Sequence, residues 1–456
     1  MEFWRNAEED LQQWRSSKYR KPLVIRGARQ TGKTTLVRRF GRTFDTYIEL
    51  NLETERDRAL FDNDLTVSDL LQYICLAKGL VRRGETLLFL DEIQYSPRAV
   101  MLMRYFHEEL PDLYVISAGS LLEIMMEKQK ISFPVGRVEY LYLFPMTFRE
   151  FLQALDEGLA LEYYLEMPVP AIAHDKLSQL FRLYAFVGGM PEAVSRYVET
   201  RDLSRLSDVY AALLTGFADD VSKYASTAHE SDVIRHIIET APLESGNRIA
   251  FEKFGNSGYR SSDVSTGMRK LERAMLLYLR YPVTQTELPL SPDKKLRPRL
   301  QLLDSGLINH RVGIQAEYFR DVSLADVYRG NLAEQMVWQE LLAQSRRELN
   351  NPIFWVREKK QSNAEVDFIY QWNSQLIPVE VKSGKDGSLR SLHQFIEHGN
   401  VKTAVRLYDR QYSLQMTRTP VSVNSPGKAY RLLNLPLYCS GKIKDYLNMA
   451  ETMREQ

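Results

Sequence analysis

The sequence predicts an α/β protein built on a parallel sheet, and three stretches carry that prediction. Leu23-Val24-Ile25 is a short apolar run that breaks into Gly27-Ala28-Arg29-Gln30-Thr31-Gly32-Lys33-Thr34, then resumes with Leu36, Val37 and Phe40 at helical spacing. Leu87-Leu88-Phe89-Leu90 is apolar without alternation and ends in Asp91-Glu92, as a strand buried on both faces ends at a ligand site. Leu113-Tyr114-Val115-Ile116 is a third such run and ends at Ser117-Ala118-Gly119-Ser120. Helical stretches separate these runs, the pattern of parallel strands joined by crossover helices.

The glycine-bounded segment has the make-up of a phosphate-binding loop. Gly27 and Gly32 let the backbone curl until successive amides converge on an anion at the positive end of the following helix. Lys33 is placed to reach the β and γ phosphates, and the Thr34 hydroxyl to ligate magnesium. Gly27, Ala28, Arg29, Gln30, Thr31, Gly32, Lys33, Thr34 and Thr35 are therefore the candidate nucleotide-binding residues. Standing between a strand and a helix makes the pattern far more specific than a glycine turn beside a surface lysine.

Asp91 would hold the magnesium through water and Glu92 would polarise the attacking water, the roles of a Walker B element. The other reading of these two acids is a helix cap after a strand. Gln94 is a further candidate at the γ-phosphate. Ser117 and Ser120 are both candidates to sense that phosphate, and their spacing does not choose between them. Arg137, on the loop Pro134-Val135-Gly136 before the apolar run Val138 to Leu143, is a candidate arginine finger, in its own subunit or in a neighbour of a homo-oligomer. An exposed structural arginine is its alternative.

A chain of 456 residues calls for more than one domain. Its hydrophobic share of 44% and charged share of 26% are those of a globular protein and exclude a disordered or fibrous chain. A net charge of +1 means that any nucleic-acid contact must come from a local basic patch. Cys75 and Cys439 stand far apart, so neither a disulfide framework nor a zinc cluster is expected. The opening MEFWRNAEEDLQQW reads as an amphipathic helix packing through Phe3, Trp4, Leu11 and Trp14, and no run approaches the ~18 apolar residues of a membrane span. A reducing, cytoplasmic setting without membrane contact is the expectation.

Pro168-Val169-Pro170 marks a passage into helices, which run from Leu177 to Tyr224 with Gly188-Gly189-Met190-Pro191 as a hinge or turn. From Asp232 to Tyr281 the pattern gives three short helices and a strand. Arg260 to Leu271 reads as a helix capped by Ser262 or Ser265, with Arg269 and Lys270 exposed. Leu276 to Pro282 and the basic Lys294-Lys295-Leu296-Arg297-Pro298-Arg299 read as the strands and wing of a winged helix, able to sit on DNA phosphates or to serve as a protein adaptor.

The tail carries a second set of polar groups. Glu334 shares a helical face with Val337, Trp338 and Leu341. If Glu365–Tyr370 and Leu376–Lys382 form a hairpin closed on Asn373-Ser374, Asp367 faces Glu380. Carboxylates directly opposite one another repel by some tenths of a kcal/mol or more, which calls for a cation; magnesium would supply it. Alternation puts Lys382 on the face of Glu380. A helix acid, then Asp, then Glu-x-Lys resembles the active-site set of the PD-(D/E)XK nuclease superfamily. That resemblance implies metal ligation by Asp367 and Glu380 with help from Glu334, and a water positioned by Lys382, with Glu365 as a helper. The alternative is the same fold without cutting.

The order GARQTGKTT, LLFLDEIQ, ISAGSLLE, FPVGRVEYLYLFPMTFREF and FRLYAFVGGMPEAV resembles the prokaryotic AAA-type ATPases that carry a carboxy-terminal domain of undefined function, from about Arg20 to about Val405. The resemblance implies a P-loop ATPase core over 1–155, a helical lid over 156–228, a winged helix over 229–318 and a restriction-endonuclease-like tail over 319–456. ATP and Mg2+ are its implied ligands and DNA its implied partner. A switch that binds ATP and a partner but cuts nothing is the competing class.

Overall fold

The computed structural model describes residues 1–130, 132–134, 136–313, 326–359, 362–384, 388–421 and 426–452. Strands β1 (Leu23–Arg26), β2 (Thr46–Asn51), β3 (Thr86–Asp91), β4 (Leu113–Gly119) and β5 (Glu139–Tyr142) form one sheet in the order β2-β3-β4-β1-β5. Every neighbouring pair is parallel. Leu87 and Phe89 of β3 pack with Leu36, Phe40, Leu11 and Trp14 on one face, while Leu88 and Leu90 pack with Ile74, Val100 and Phe106 on the other. Both faces being covered is why β3 reads as an unbroken apolar run. The opening helix spans Ala7–Ser16 and buries Leu11 and Trp14.

Helices His174–Val187, Pro191–Thr200 and Leu206–Tyr224 follow, but they do not stand as a separate layer. One apolar core runs from Phe148, Phe181, Tyr184 and Tyr210 through Trp338 to Tyr438 and Tyr446 of the tail. At this junction the buried Glu340 carboxylate accepts from the Phe148 amide at 2.8 Å and from the Tyr184 hydroxyl at 3.2 Å. Gly188, at φ 77°, and Gly189 form a packed crossing. The Gly189 amide donates to Asp304 at 2.6 Å, and a side chain at Gly188 would run into Asp304 and Tyr210.

In the middle of the chain, helices Ala228–Thr240 and Ser261–Arg273 pack on each other. The second is capped at Arg260 with no side-chain bond, so neither Ser262 nor Ser265 is its cap; the Ser262 hydroxyl donates instead to Asp263. Arg269 is exposed, whereas Lys270 is held by Glu230 at 2.6 Å. β6 (Leu277–Arg280) leads directly into β7 (Pro282–Val283), yet the two serve different sheets. β6 pairs antiparallel with β8 (Arg299–Leu302), while β7 pairs in parallel with the first strand of the tail.

That tail sheet consists of β9 (Ile353–Lys359), β10 (Ser362–Trp372), β11 (Gln375–Val381), β12 (Thr403–Tyr408), β13 (Ser413–Arg418) and β14 (Ala429–Pro436), in the order β13-β14-β12-β11-β10-β9-β7. Trp338, from helix Asp326–Leu342, packs with Val379 and Val381 in one core; Phe395, from helix Arg390–His398, packs with Val366 and Ala404 in another. The expected boundary at 318/319 lies outside the described residues, and β7 shows that the tail sheet recruits a strand from well before it. No helix among the described residues is long and apolar enough to cross a membrane.

Candidate functional site

The loop after β1 bends at Gln30, φ 64°, and Gly32, φ 93°, and Gly32 caps the helix Lys33–Gly41. A Cβ at Gly27 would run into the Leu143 carbonyl, so the loop can pass close to the strand edge only as glycine. Arg5 clamps it from outside: its guanidinium donates to the Thr31 carbonyl at 2.8 Å and the Phe144 carbonyl at 2.6 Å, and pairs with Glu150 at 3.1 Å. Lys33 donates to the loop carbonyls of Gly27 at 3.0 Å and Ala28 at 2.8 Å. Burial lowers its ammonium to about 8. Arg29 pairs with Asp220 of helix Leu206–Tyr224. Thr35 is exposed. Gly32 also lies near Pro191, the first residue of helix Pro191–Thr200; a Cβ there would meet the ring at 3.6 Å.

β3 brings its acids to the same edge. The Thr34 hydroxyl donates to Asp91 Oδ2 at 2.8 Å. Asp91 is buried, and that burial raises its pKa. Glu92 sits in the left-handed region at φ 52°, ψ 48° and accepts from the Gln94 amide. A non-glycine residue held there costs on the order of 1–3 kcal/mol and occurs preferentially at functional sites. Gln94 Oε1 is buried with no hydrogen-bonding partner among the described residues, and it lies so close to Gly119 that a Cβ could not fit. Ser117 is fully buried inside β4, its hydroxyl turned to the Leu23 carbonyl at 3.5 Å, whereas Ser120 is half-buried just past the strand end.

Arg137 is elsewhere. It precedes β5, whose Glu139 is in register with Leu23 at the start of β1, so it lies at the sheet edge opposite the loop and pairs with Glu108 at 3.0 Å. That end of the sheet is the one away from its own phosphate loop.

In the tail, β10 and β11 pair from Trp372 opposite Gln375 to Phe368 opposite Val379, the expected register, with Asn373 and Ser374 in the left-handed turn between them. One residue further along, Asp367 comes beside Glu380, and Asp367 Oδ2 accepts from the Val381 amide at 2.8 Å. Against β9 the register slips between Val366 and Ile369, an irregularity that spans Asp367. Lys382 pairs with Glu380 at 2.6 Å. Burial, then the Asp367 charge, raise the Glu380 pKa.

A cation of the protein's own reaches this cluster. Arg299 of β8 reaches into the cluster and pairs with both Glu334 and Glu365, with Asp367 Oδ1 at 3.9 Å. Among the described residues no group of three or more His, Cys, Asp or Glu is arranged to hold a metal ion. The expected set of Glu334, Asp367, Glu380 and Lys382 does come together, with Glu334 paired to the Arg299 guanidinium, Asp367 at its margin and Glu380 paired to Lys382. Clustered, partly buried carboxylates need a counter-charge, and a forked guanidinium meets two at once. Reading of the basic segment missed Arg299 as an inward-facing residue. The signal was its place directly before Leu300, Leu302 and Leu303, as the first residue of a short buried strand.

Residues 19–152 match a family model described as an AAA domain. The chain therefore carries an AAA-type P-loop domain, in keeping with the five-stranded parallel sheet. Residues 178–325 and 329–426 match two models, each described as a domain of unknown function. Among solved structures, the chain is similar to a Walker-type ATPase of Pyrococcus abyssi at 16% identity, covering 67% of this chain and 95% of that one, with a TM-score of 0.44. It is also similar to AMPPCP-bound DnaA from Aquifex aeolicus, at 13% identity, 58% and 86% coverage and a TM-score of 0.26. A signal transduction ATPase with numerous domains and a tetratricopeptide repeat sensor, from Pyrococcus horikoshii, gives 14% identity, 75% and 46% coverage and a TM-score of 0.28. Comparison with curated proteins gives no match.

Proposed function

We propose that the chain binds ATP in the glycine loop and hydrolyses it, and that nucleotide state acts on the middle module and tail. The observation that supports this best is the meeting of the Thr34 hydroxyl and Asp91 carboxylate at 2.8 Å beside a buried lysine. Two hard oxygen donors facing each other suit magnesium, which when bound would offset charge on the phosphates. The chain's own groups would do the rest. Loop amides hold the phosphates, Lys33 turns from its carbonyls onto them, Glu92 orients the attacking water, and Ser120 or Ser117 senses the γ-phosphate. Titration calorimetry with ATP on the full chain and on Lys33→Ala tests the reading. Affinity retained in the variant overturns it.

For the tail, the Arg299 contacts favour the switch over the magnesium-dependent nuclease. The acids that would hold the metal already have a cation, so the tail cuts nothing and the middle module carries the partner-binding surface. Exposed Lys294, Lys295, Arg297 and Arg269 make DNA phosphates the favoured partner. Magnesium-dependent cleavage of DNA or RNA by the wild type, lost in Asp367→Ala, would restore the nuclease reading.

A further inference from the structure

The middle module meets the tail through arginines. Arg280 is fully buried, donating to the Pro352 carbonyl and to the Asp367 carbonyl, both at 2.7 Å, and stacking 4.3 Å over the Phe368 ring. Arg248 Nη1 comes to 4.0 Å from Glu365. Arg299, 8% exposed, enters the centre of the cluster. All three precede the tail in the chain, and all the acids they approach lie within it. Lys382 comes from the tail itself and serves Glu380, which leaves Glu380 Oε2 buried without a hydrogen-bonding partner among the described residues.

We propose that the acidic cluster of the tail is a socket for Arg299, that seating this guanidinium locks the middle module to the tail, and that a divalent cation can enter only when it leaves. The argument rests on charge and shape. Glu334, Glu365 and Asp367 come from a helix and a strand that have no sequence link to β8, yet they converge on one planar cation. A guanidinium can satisfy carboxylates on two sides at once, whereas a lysine ammonium is a point charge. Removing only the cation leaves the buried Asp367 and the half-buried Glu334 and Glu365 uncompensated, the costly half of a broken ion pair. The emptied cluster would then offer several carboxylate oxygens, the donor set of a hard divalent ion.

The socket is independent of the nucleotide reading, so it is tested in full-length protein carrying Lys33→Ala and without nucleotide. The probe is Mn2+, followed through the paramagnetic resonance of the free ion. The expected result is that this protein leaves Mn2+ free, that adding Arg299→Ala creates a saturable site, and that adding Asp367→Asn as well abolishes it. Mn2+ bound with Arg299 intact, and lost with Asp367→Asn alone, overturns the proposal. If Arg299→Ala does not fold, the triple variant Arg299→Ala/Glu334→Gln/Glu365→Gln decides. Under the proposal, removing the acids together with their cation restores folding and raises the melting temperature above that of Arg299→Ala. A triple variant as unstable as the single one overturns the lock.

Discussion

Thr34 and Asp91 lie 57 residues apart in the chain, yet the threonine hydroxyl donates to the aspartate carboxylate across 2.8 Å at the shared edge of β1 and β3. This contact joins the phosphate loop to the acidic strand end. Thr34→Val keeps the shape and removes the hydroxyl. The expected loss in ATP affinity with magnesium present is about tenfold or more, the worth of about 1–3 kcal/mol for a charged hydrogen bond or metal ligand. Titrations with and without magnesium check it: an equal loss in both means that the hydroxyl does not serve the metal.

Lys33 gives a proton signature. Burial lowers its pKa from 10.5 to about 8, so near that pH part of the unliganded protein carries a neutral amine, and bound phosphates restore the charge. ATP binding near pH 8 should take up about half a proton, and affinity should fall as the pH climbs above about 8. Calorimetry in two buffers of different ionisation enthalpy reads the uptake, and the same heat in both contradicts it. Because this lysine has its pKa lowered on folding, it opposes folding below about 8, and the opposition fades between 8 and 10.5.

Glu92 couples strain to chemistry. Glu92→Gln should bind ATP and hydrolyse it about a hundredfold or more slowly, the usual share of a general base. Glu92→Gly should be just as impaired but more stable by about 1 kcal/mol, since glycine adopts the left-handed region without cost. Turnover assays with thermal melts test both arms, and a glycine variant that melts lower than the wild type contradicts the strain argument.

Glu340 makes the junction between helices and tail sensitive to pH. Burial raises its pKa from 4.5 to about 7. The folded state therefore keeps a proton that the unfolded state has already released, and stability falls as the pH rises from 4.5 to about 7. The fall amounts to on the order of 3 kcal/mol. Glu340→Gln keeps an acceptor for the Phe148 amide and removes the titration. Its melting temperature should drop less than that of the wild type between about pH 5 and about pH 8; equal drops would show that Glu340 is not the group responsible.

What could be read from the sequence is what short-range geometry dictates. The loop at Gly27 to Thr34 is legible because a strand, two glycines and a helix start within a few residues leave the backbone one way to turn. The hairpin register placing Asp367 beside Glu380 is legible because a two-residue turn at Asn373-Ser374 sets every pair that follows it. Tertiary structure alone decided which charges meet. Arg5 reaches Phe144 across 139 positions, Arg29 reaches Asp220 across 191, and Arg299 reaches Glu365 across 66. It also decided that β7, which follows β6 directly, joins the tail sheet and that Arg137 lies at the end of the sheet opposite its own loop. Such contacts leave no periodic trace in the chain: a charge at the end of a strand looks the same in sequence whether it meets water, a metal or a guanidinium, and burial by distant elements makes the choice.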